Sequence, residues 1–254
     1  ASDHRGDFQA ALEAYDALRS EKGSGDVLYY RGNLKKKMGD LQGAMTDLNR
    51  AIELQPLDPD CYNLRVYVSW LQGDLDAAVA DGDKSLRIRE DQPWMRFTRA
   101  LILHQQGKNH EALREYQQLI SNDDKNLKDL AALRIYLLHT QLGEPQAAAK
   151  TLQNHFGGRE PNQDDWEACL ANFSLQHWNP KKLLDLCLTD TRKETENRRK
   201  QAYGYLALSY LMEGKRSEAE HYFRKSKDVT NHNQIEHDEA ATYLDLLLKK
   251  NDKE

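Results

Sequence analysis

Cysteine is scarce in this 254-residue chain. Cys61, Cys169 and Cys187 are odd in number, so they cannot all pair within the chain, and none sits in a Cys-x-x-Cys pattern. No two of them have zinc-ligand spacing, which disfavours a structural zinc site and leaves three reduced core residues as the expectation. Proline (6) and glycine (14) are also few, too few for a turn-rich sheet protein or a low-complexity chain. No run approaches the roughly eighteen consecutive apolar residues that a membrane span requires, and the first residues do not read as a signal peptide. A dominant charge is missing too. The net charge is -5 and the pI about 6.0, which gives no general electrostatic pull toward nucleic acid.

What is present is helix-forming and repetitive. Charged residues make up 30% of the chain and hydrophobic ones 39%, a balance that suits charged, leucine- and alanine-rich helices. Glycine recurs at Gly6, Gly39, Gly73, Gly107, Gly143 and Gly214, with alanine five residues later at Ala11, Ala44, Ala78, Ala112, Ala148 and Ala219. The first three intervals are 33, 34 and 34 residues, a period that marks stacked helix-turn-helix units. In the clearest unit a helix over Val27–Met38 ends at Gly39, where a left-handed backbone costs glycine little. A second helix starts near Asp40, carries Leu41, Ala44, Leu48, Ala51 and Leu54 on one face, and stops at Pro56. The alanine marks the point where the two helices cross closely and leave room only for a small side chain.

The set Leu28, Gly32, Gly39, Ala44, Leu48, Ala51 and Pro56, with Tyr203, Ala207, Tyr210, Gly214, Ala219 and Phe223 in a later unit, resembles the tetratricopeptide repeat family. The resemblance implies an all-α superhelical solenoid. Gly82 and Arg96 depart from the family pattern, where large apolar or aromatic residues are typical. The 71 residues between Gly143 and Gly214 predict one degenerate unit, with a first helix within Asp164–Gln176 and a second running from an Asn179 cap and Pro180 to Leu188. Gly157–Gln163 reads as a loop. The expected organisation is repeat units over 1–156, a loop and degenerate unit over 157–200, and a further unit with a C-terminal capping helix, Ile235–Lys250, over 201–254. Five residues precede Gly6, so the partner helix of that unit is expected upstream or from elsewhere.

Charged residues also keep the period. Arg31, Arg65 and Arg99 stand eight before the turn glycines, and Asp47, Asp81 and Glu115 eight after them. The two series are expected to form a ladder of ion pairs that fixes stacking register. Arg192, Lys193, Arg198, Arg199 and Lys200 form a short basic stretch interrupted by Glu194 and Glu196. It lacks the interleaved aromatics of a nucleic-acid surface and reads as a solvated helix start.

In this family the first helix of each unit lines the concave face. Counting back ten, six and three residues from each turn glycine gives the expected partner-binding residues: Tyr29, Asn33 and Lys36, then Asn63, Tyr67 and Trp70, then Phe97, Leu101 and His104, with Trp94 one turn earlier. Tyrosine and tryptophan bury large area at low entropic cost, which suits a recognition surface. Leu133, Leu137, Thr140, Leu208 and Leu211 occupy the same register later and read as a packing surface. No H-E-x-x-H, G-x-S-x-G or phosphate-cradling loop occurs, and His232, Glu236, His237 and Asp238, the densest set of metal-ligand types, read as polar residues at a helix start. No enzyme activity, cofactor or metal is therefore expected, and the expected partner is a protein or peptide, not nucleic acid.

LQNHF at Leu152–Phe156, the Trp166 helix, Tyr203–Gly214 and NHNQIEH at Asn231–His237 are further similar to the NlpI-type bacterial lipoprotein adaptors. That resemblance implies a homodimeric, periplasmic or cell-envelope adaptor for hydrolases or proteases, tethered through an N-terminal lipid anchor. No lipobox cysteine is present in this sequence. A cytosolic co-chaperone-type or nucleic-acid-associated adaptor is the alternative. Against the co-chaperone form, Asn33 fits the family's clamp for acidic tails but Tyr29 occupies its usual first lysine position.

Overall fold

The computed structural model describes residues 10–15, 24–162, 165–175 and 179–229. Among the described residues every regular element is helical. Residues 10–15 are helical, and twelve further helices follow: α1 (Gly25–Met38), α2 (Leu41–Leu54), α3 (Pro59–Leu71), α4 (Leu75–Ile88), α5 (Pro93–Gln105), α6 (Asn109–Leu119), α7 (Lys125–Gln141), α8 (Pro145–Phe156), α9 (Trp166–Ser174), α10 (Pro180–Asp185), α11 (Arg192–Met212) and α12 (Arg216–Asp228). Gly6, the expected helix Ile235–Lys250 and the His232–Asp238 group lie outside the described residues. Two compact units are present, Ala1–Ile102 and Leu103–Glu254.

The glycine and alanine register builds the hairpins as expected. Gly39, Gly73, Gly107, Gly143 and Gly214 have φ between 76° and 85°, the left-handed region that an L side chain enters only at a cost. Each closes its helix in the same way. At the first, Gly39 N–H donates to Lys36 O and Asp40 N–H to Lys35 O, and the pair of bonds recurs at the other four glycines. These bonds satisfy the carbonyls that the helix end would otherwise orphan. Asp40 and Asp74 then cap the second helices by accepting from Gly43 and Ala77 N–H. Five residues past each glycine, Ala44, Ala78, Ala112, Ala148 and Ala219 are buried at the crossing.

The charged ladder forms within the first unit. Arg65 reaches sixteen residues in both directions, with Nε and Nη2 on Asp81 of its own hairpin (2.8 and 2.7 Å) and Nη1 on Asn49 of the preceding one (2.7 Å). Arg31 takes the forward partner, Asp47. Arg99 pairs backward with Asp83 (2.8 Å). The stem of Arg99 fills the space above Gly82: its Cδ lies 3.5 Å from where a β-carbon would stand. A second pair repeats at the hairpin ends, Asp26 with Gln55 and Asp60 with Arg89, each separated by 29 residues.

The second unit is organised around one core that includes Leu133, Leu137, Leu152, Phe156, Cys169, Cys187, Leu206, Leu208 and Phe223. Its degenerate hairpin is shorter than the spacing suggests. Asp165 caps α9 and Asn179 caps α10, as expected for Asn179, but α10 ends at Asp185 rather than Leu188. Cys187 is drawn into the core while Leu188 is exposed, so burial, not helical periodicity, ends the element. Because α9 and α10 are short, the 21-residue α11 packs against α7 as well as α9. The loop after α8 is held by Asp129 of α7, which accepts from Arg159 Nη1 and Nη2 (both 2.8 Å) and His155 Nε2 (2.7 Å).

Candidate functional site

In the first unit α1, α3 and α5 form one layer. Their side chains meet in a chain of contacts. Lys36 Nζ lies 5.2 Å from the centroid of the Tyr67 ring, and the Tyr67 hydroxyl bonds Thr98 Oγ1 at 3.1 Å. Thr98 in turn donates to the Trp94 carbonyl, and the Trp94 and Phe97 rings meet edge to face at 6.0 Å. Tyr67 also leans on Trp70, with centroids 6.5 Å apart.

Not all of the expected lining is accessible. Trp70, Phe97, Leu101, His104 and Lys36 are buried, so they shape this layer from beneath and do not line it. All three residues three positions before a turn glycine, Lys36, Trp70 and His104, fall in this group. That position lies in the last turn of its helix, and at the first of the three the Lys36 ammonium is set over the Tyr67 ring of the next first helix. His104 donates through Nε2 to Gln141 Oε1 at 2.9 Å. Burial pushes its imidazole down to about 4, so it is neutral near pH 7. Asn63 is half-buried and committed to structure: its amide donates to Gln92 Oε1 (2.8 Å) and its carbonyl accepts from Ser85 Oγ (2.5 Å), clasping α3 to α4.

Tyr29, Asn33 and Tyr67 remain partly accessible, and Trp94 is 41% exposed. Two tyrosines join them that the count from the turn glycines did not select. Tyr30, 54% exposed, packs edge to face on Tyr29 at 5.2 Å and stacks with Tyr15 at 6.3 Å. The result is an aromatic row, Tyr15, Tyr30 and Tyr29, beside Asn33 on rigid helices. The adjacent Tyr-Tyr pair was the available signal for it.

The basic stretch of α11 is divided among local partners. Arg192 pairs with Glu196 and Arg198 with Glu194, each one turn apart, and Lys200 is buried. Asp129, Asp165 and Glu167 bring carboxylate oxygens within 4.8 Å of one another. Arg159 and Lys125 already pair with both aspartates, which meets their charge without a metal. Burial raises the thiols of Cys61 and Cys187 to about 12 and that of Cys169 to about 11, so none is a thiolate nucleophile near neutrality. No helix of the described residues is long and apolar enough to cross a membrane.

Residues 29–93 match the family model described as tetratricopeptide repeat, and the match indicates no catalytic family. Solved structures share the fold. A tetratricopeptide repeat protein from Parabacteroides merdae is 13% identical with a TM-score of 0.60, covering 96% of this chain and 94% of its own. MamA is 18% identical with a TM-score of 0.55, covering 60% of this chain and 89% of that one. YrrB, a TPR protein with an unusual peptide-binding site, is 13% identical with a TM-score of 0.51, covering 89% and 96%. The chain is thus a helical-repeat solenoid of the tetratricopeptide type.

Proposed function

We propose that the chain is a non-enzymatic scaffold that holds a protein or peptide partner on the first-helix layer of its first unit. The observation that carries this reading is the set of open aromatic and amide side chains, Tyr29, Tyr30, Asn33, Tyr67 and Trp94, on helices locked by repeated turns and ion pairs. Aromatic groups on a rigid support lose little entropy on binding and act as anchors. The peptide-binding site of YrrB is in keeping with such a role on this fold. The NlpI-like motifs of the second half favour a cell-envelope adaptor that docks hydrolases or proteases as a homodimer.

The test is crosslinking mass spectrometry in native cells with the wild type and with Tyr30→Ala/Trp94→Ala. Both side chains are exposed, so the variant keeps its helical circular dichroism. Loss of the partner's crosslinks in the variant supports the site, and an unchanged crosslink set overturns it. Light scattering reads the oligomeric state, and a partner set confined to cytosolic proteins would overturn the envelope role.

A further inference from the structure

The degenerate hairpin meets the rest of the second unit through a junction crowded with carboxylates. α9 packs against α7, and the carboxylate oxygens of Asp129, Asp165 and Glu167 come within 4.8 Å of one another there. The cations at the junction are unevenly shared. Arg159 pairs with Asp129 (2.8 Å) and with Asp165, His155 Nε2 lies 2.7 Å from Asp129, and Lys125 reaches Asp129 at 3.2 Å and Asp165 at 3.8 Å. Glu167, half-buried in the first turn of α9, makes no ion pair among the described residues.

Lys125, Asp129 and Arg134 of α7 face Glu167, with Asp165 of its own helix and Lys200 of α11; Arg159 and His155 reach the junction through Asp129. Burial raises the Glu167 carboxyl above its ordinary value. Its own backbone N–H and the Lys125 charge oppose that rise, and the charges of Asp129 and Asp165 add to it. Burial would raise Asp129 as well, but bonds from His155, Arg159 and Lys125 hold it below the usual range, and the Arg159 bond does the same for Asp165. Undocking α9 from α7 would return the Glu167 carboxyl to water and to its ordinary value of 4.5. A group raised in the docked state strengthens docking as pH falls from neutrality toward that value. Asp129 and Asp165, being lowered, keep their full contribution over this range, and His104, lowered by burial, acts with the opposite sign.

We propose that Glu167 makes the junction of α7 and α9 an acid-tightened clasp. Its unpaired carboxylate loosens the degenerate hairpin at neutral pH, and proton uptake there seats the hairpin, with Cys169, Leu183 and Cys187, more firmly in the core of the second unit. The device lies within the second unit and does not rest on the aromatic row of the first.

Hydrogen exchange of the Cys169, Leu170 and Ala171 amides of α9, divided by the intrinsic exchange rate at each pH, reads this docking in the full chain. Wild-type protection should rise at least about threefold from about pH 7.5 to about pH 5, while that of Val66 and Val68 in the first unit does not rise. Glu167→Gln should show the acid-level protection already at neutral pH and lose the rise, with an unchanged circular dichroism spectrum. His155→Gln should keep the rise. A flat or falling wild-type profile overturns the proposal whatever the variants do, and so does a rise shared by Val66 and Val68. A rise that survives in Glu167→Gln, or one that disappears in His155→Gln, would assign the response to another group, the imidazole on Asp129 in the second case, and would equally overturn it.

Discussion

Arg31 and Asp47 face each other inside the first described hairpin, sixteen residues apart, with Arg31 Nε 2.8 Å from Asp47 Oδ2. Both side chains are almost fully buried. Burial alone would raise the Asp47 carboxyl, but the bonds from Arg31 and Lys35 override it and hold the group below its ordinary value. Arg65 and Asp81 repeat the geometry one period later with more solvent contact.

Arg31→Ala would leave Asp47 buried with only Lys35 of its two cationic partners, and should destabilise the fold by about 3–5 kcal/mol. Arg65→Ala should cost less, because Arg65 is 23% exposed and water can reach the vacated site. Replacing Arg31 and Asp47 together by Met and Leu should recover most of the loss. Urea denaturation midpoints of the four proteins check the order.

The hairpin crossings can be tested from two sides. Ala78 is fully buried between α4 and its neighbours, so Ala78→Leu should overpack the crossing and cost about 1–3 kcal/mol. Gly73 has φ 79° with its turn bonds made, so Gly73→Ala should cost roughly 1–2 kcal/mol through backbone strain alone. Thermal melting distinguishes them from an exposed control such as Asp76→Asn, which should change little.

His104 sets a pH dependence. Its folded value is lowered to about 4 from an unfolded value near 6.5, because burial disfavours the cation. The unfolded chain therefore binds more protons between these values, so stability is full above pH 6.5 and falls as pH drops toward 4. The slope should reach at most about 1.4 kcal/mol per pH unit for this one proton. Denaturant titrations from pH 7 to 4 should show the decline in the wild type and a correspondingly shallower one in His104→Gln.

The hairpins were legible in the sequence because a left-handed turn admits glycine and a close helix crossing admits alanine, so Gly73 and Ala78 carry their constraints in their identities. The arginine and aspartate series was legible for the same reason, since Arg31 and Arg65 meet Asp47 and Asp81, while the contacts of Arg65 with Asn49 and of Arg99 with Asp83 lay outside the count. The candidate site was only partly legible. Register places Trp70 and Tyr67 on one layer, but their accessibility depends on how closely the next helix packs, which no spacing encodes.

The loop after α8 is tied to the helices through Arg159, whose guanidinium pairs with the buried Asp129 and with Asp165. Asp129 accepts from Arg159, His155 and Lys125. Burial would raise its carboxyl, yet these bonds hold it far below the ordinary range. A depressed folded value means its contribution is complete above the unfolded value of about 3.9 and is lost as pH falls below it. Asp129→Asn should therefore flatten the wild-type stability loss below about pH 4 while lowering stability at neutral pH, where Arg159 loses one of its two carboxylate partners. Arg159→Ala should cost roughly 3 kcal/mol by leaving Asp129 short of its strongest donor, and should release residues 157–162. Limited proteolysis should then cut at Gly157–Gly158 well before the helices are attacked, and equal protection of that site in wild type and variant would show that the loop is held by other contacts.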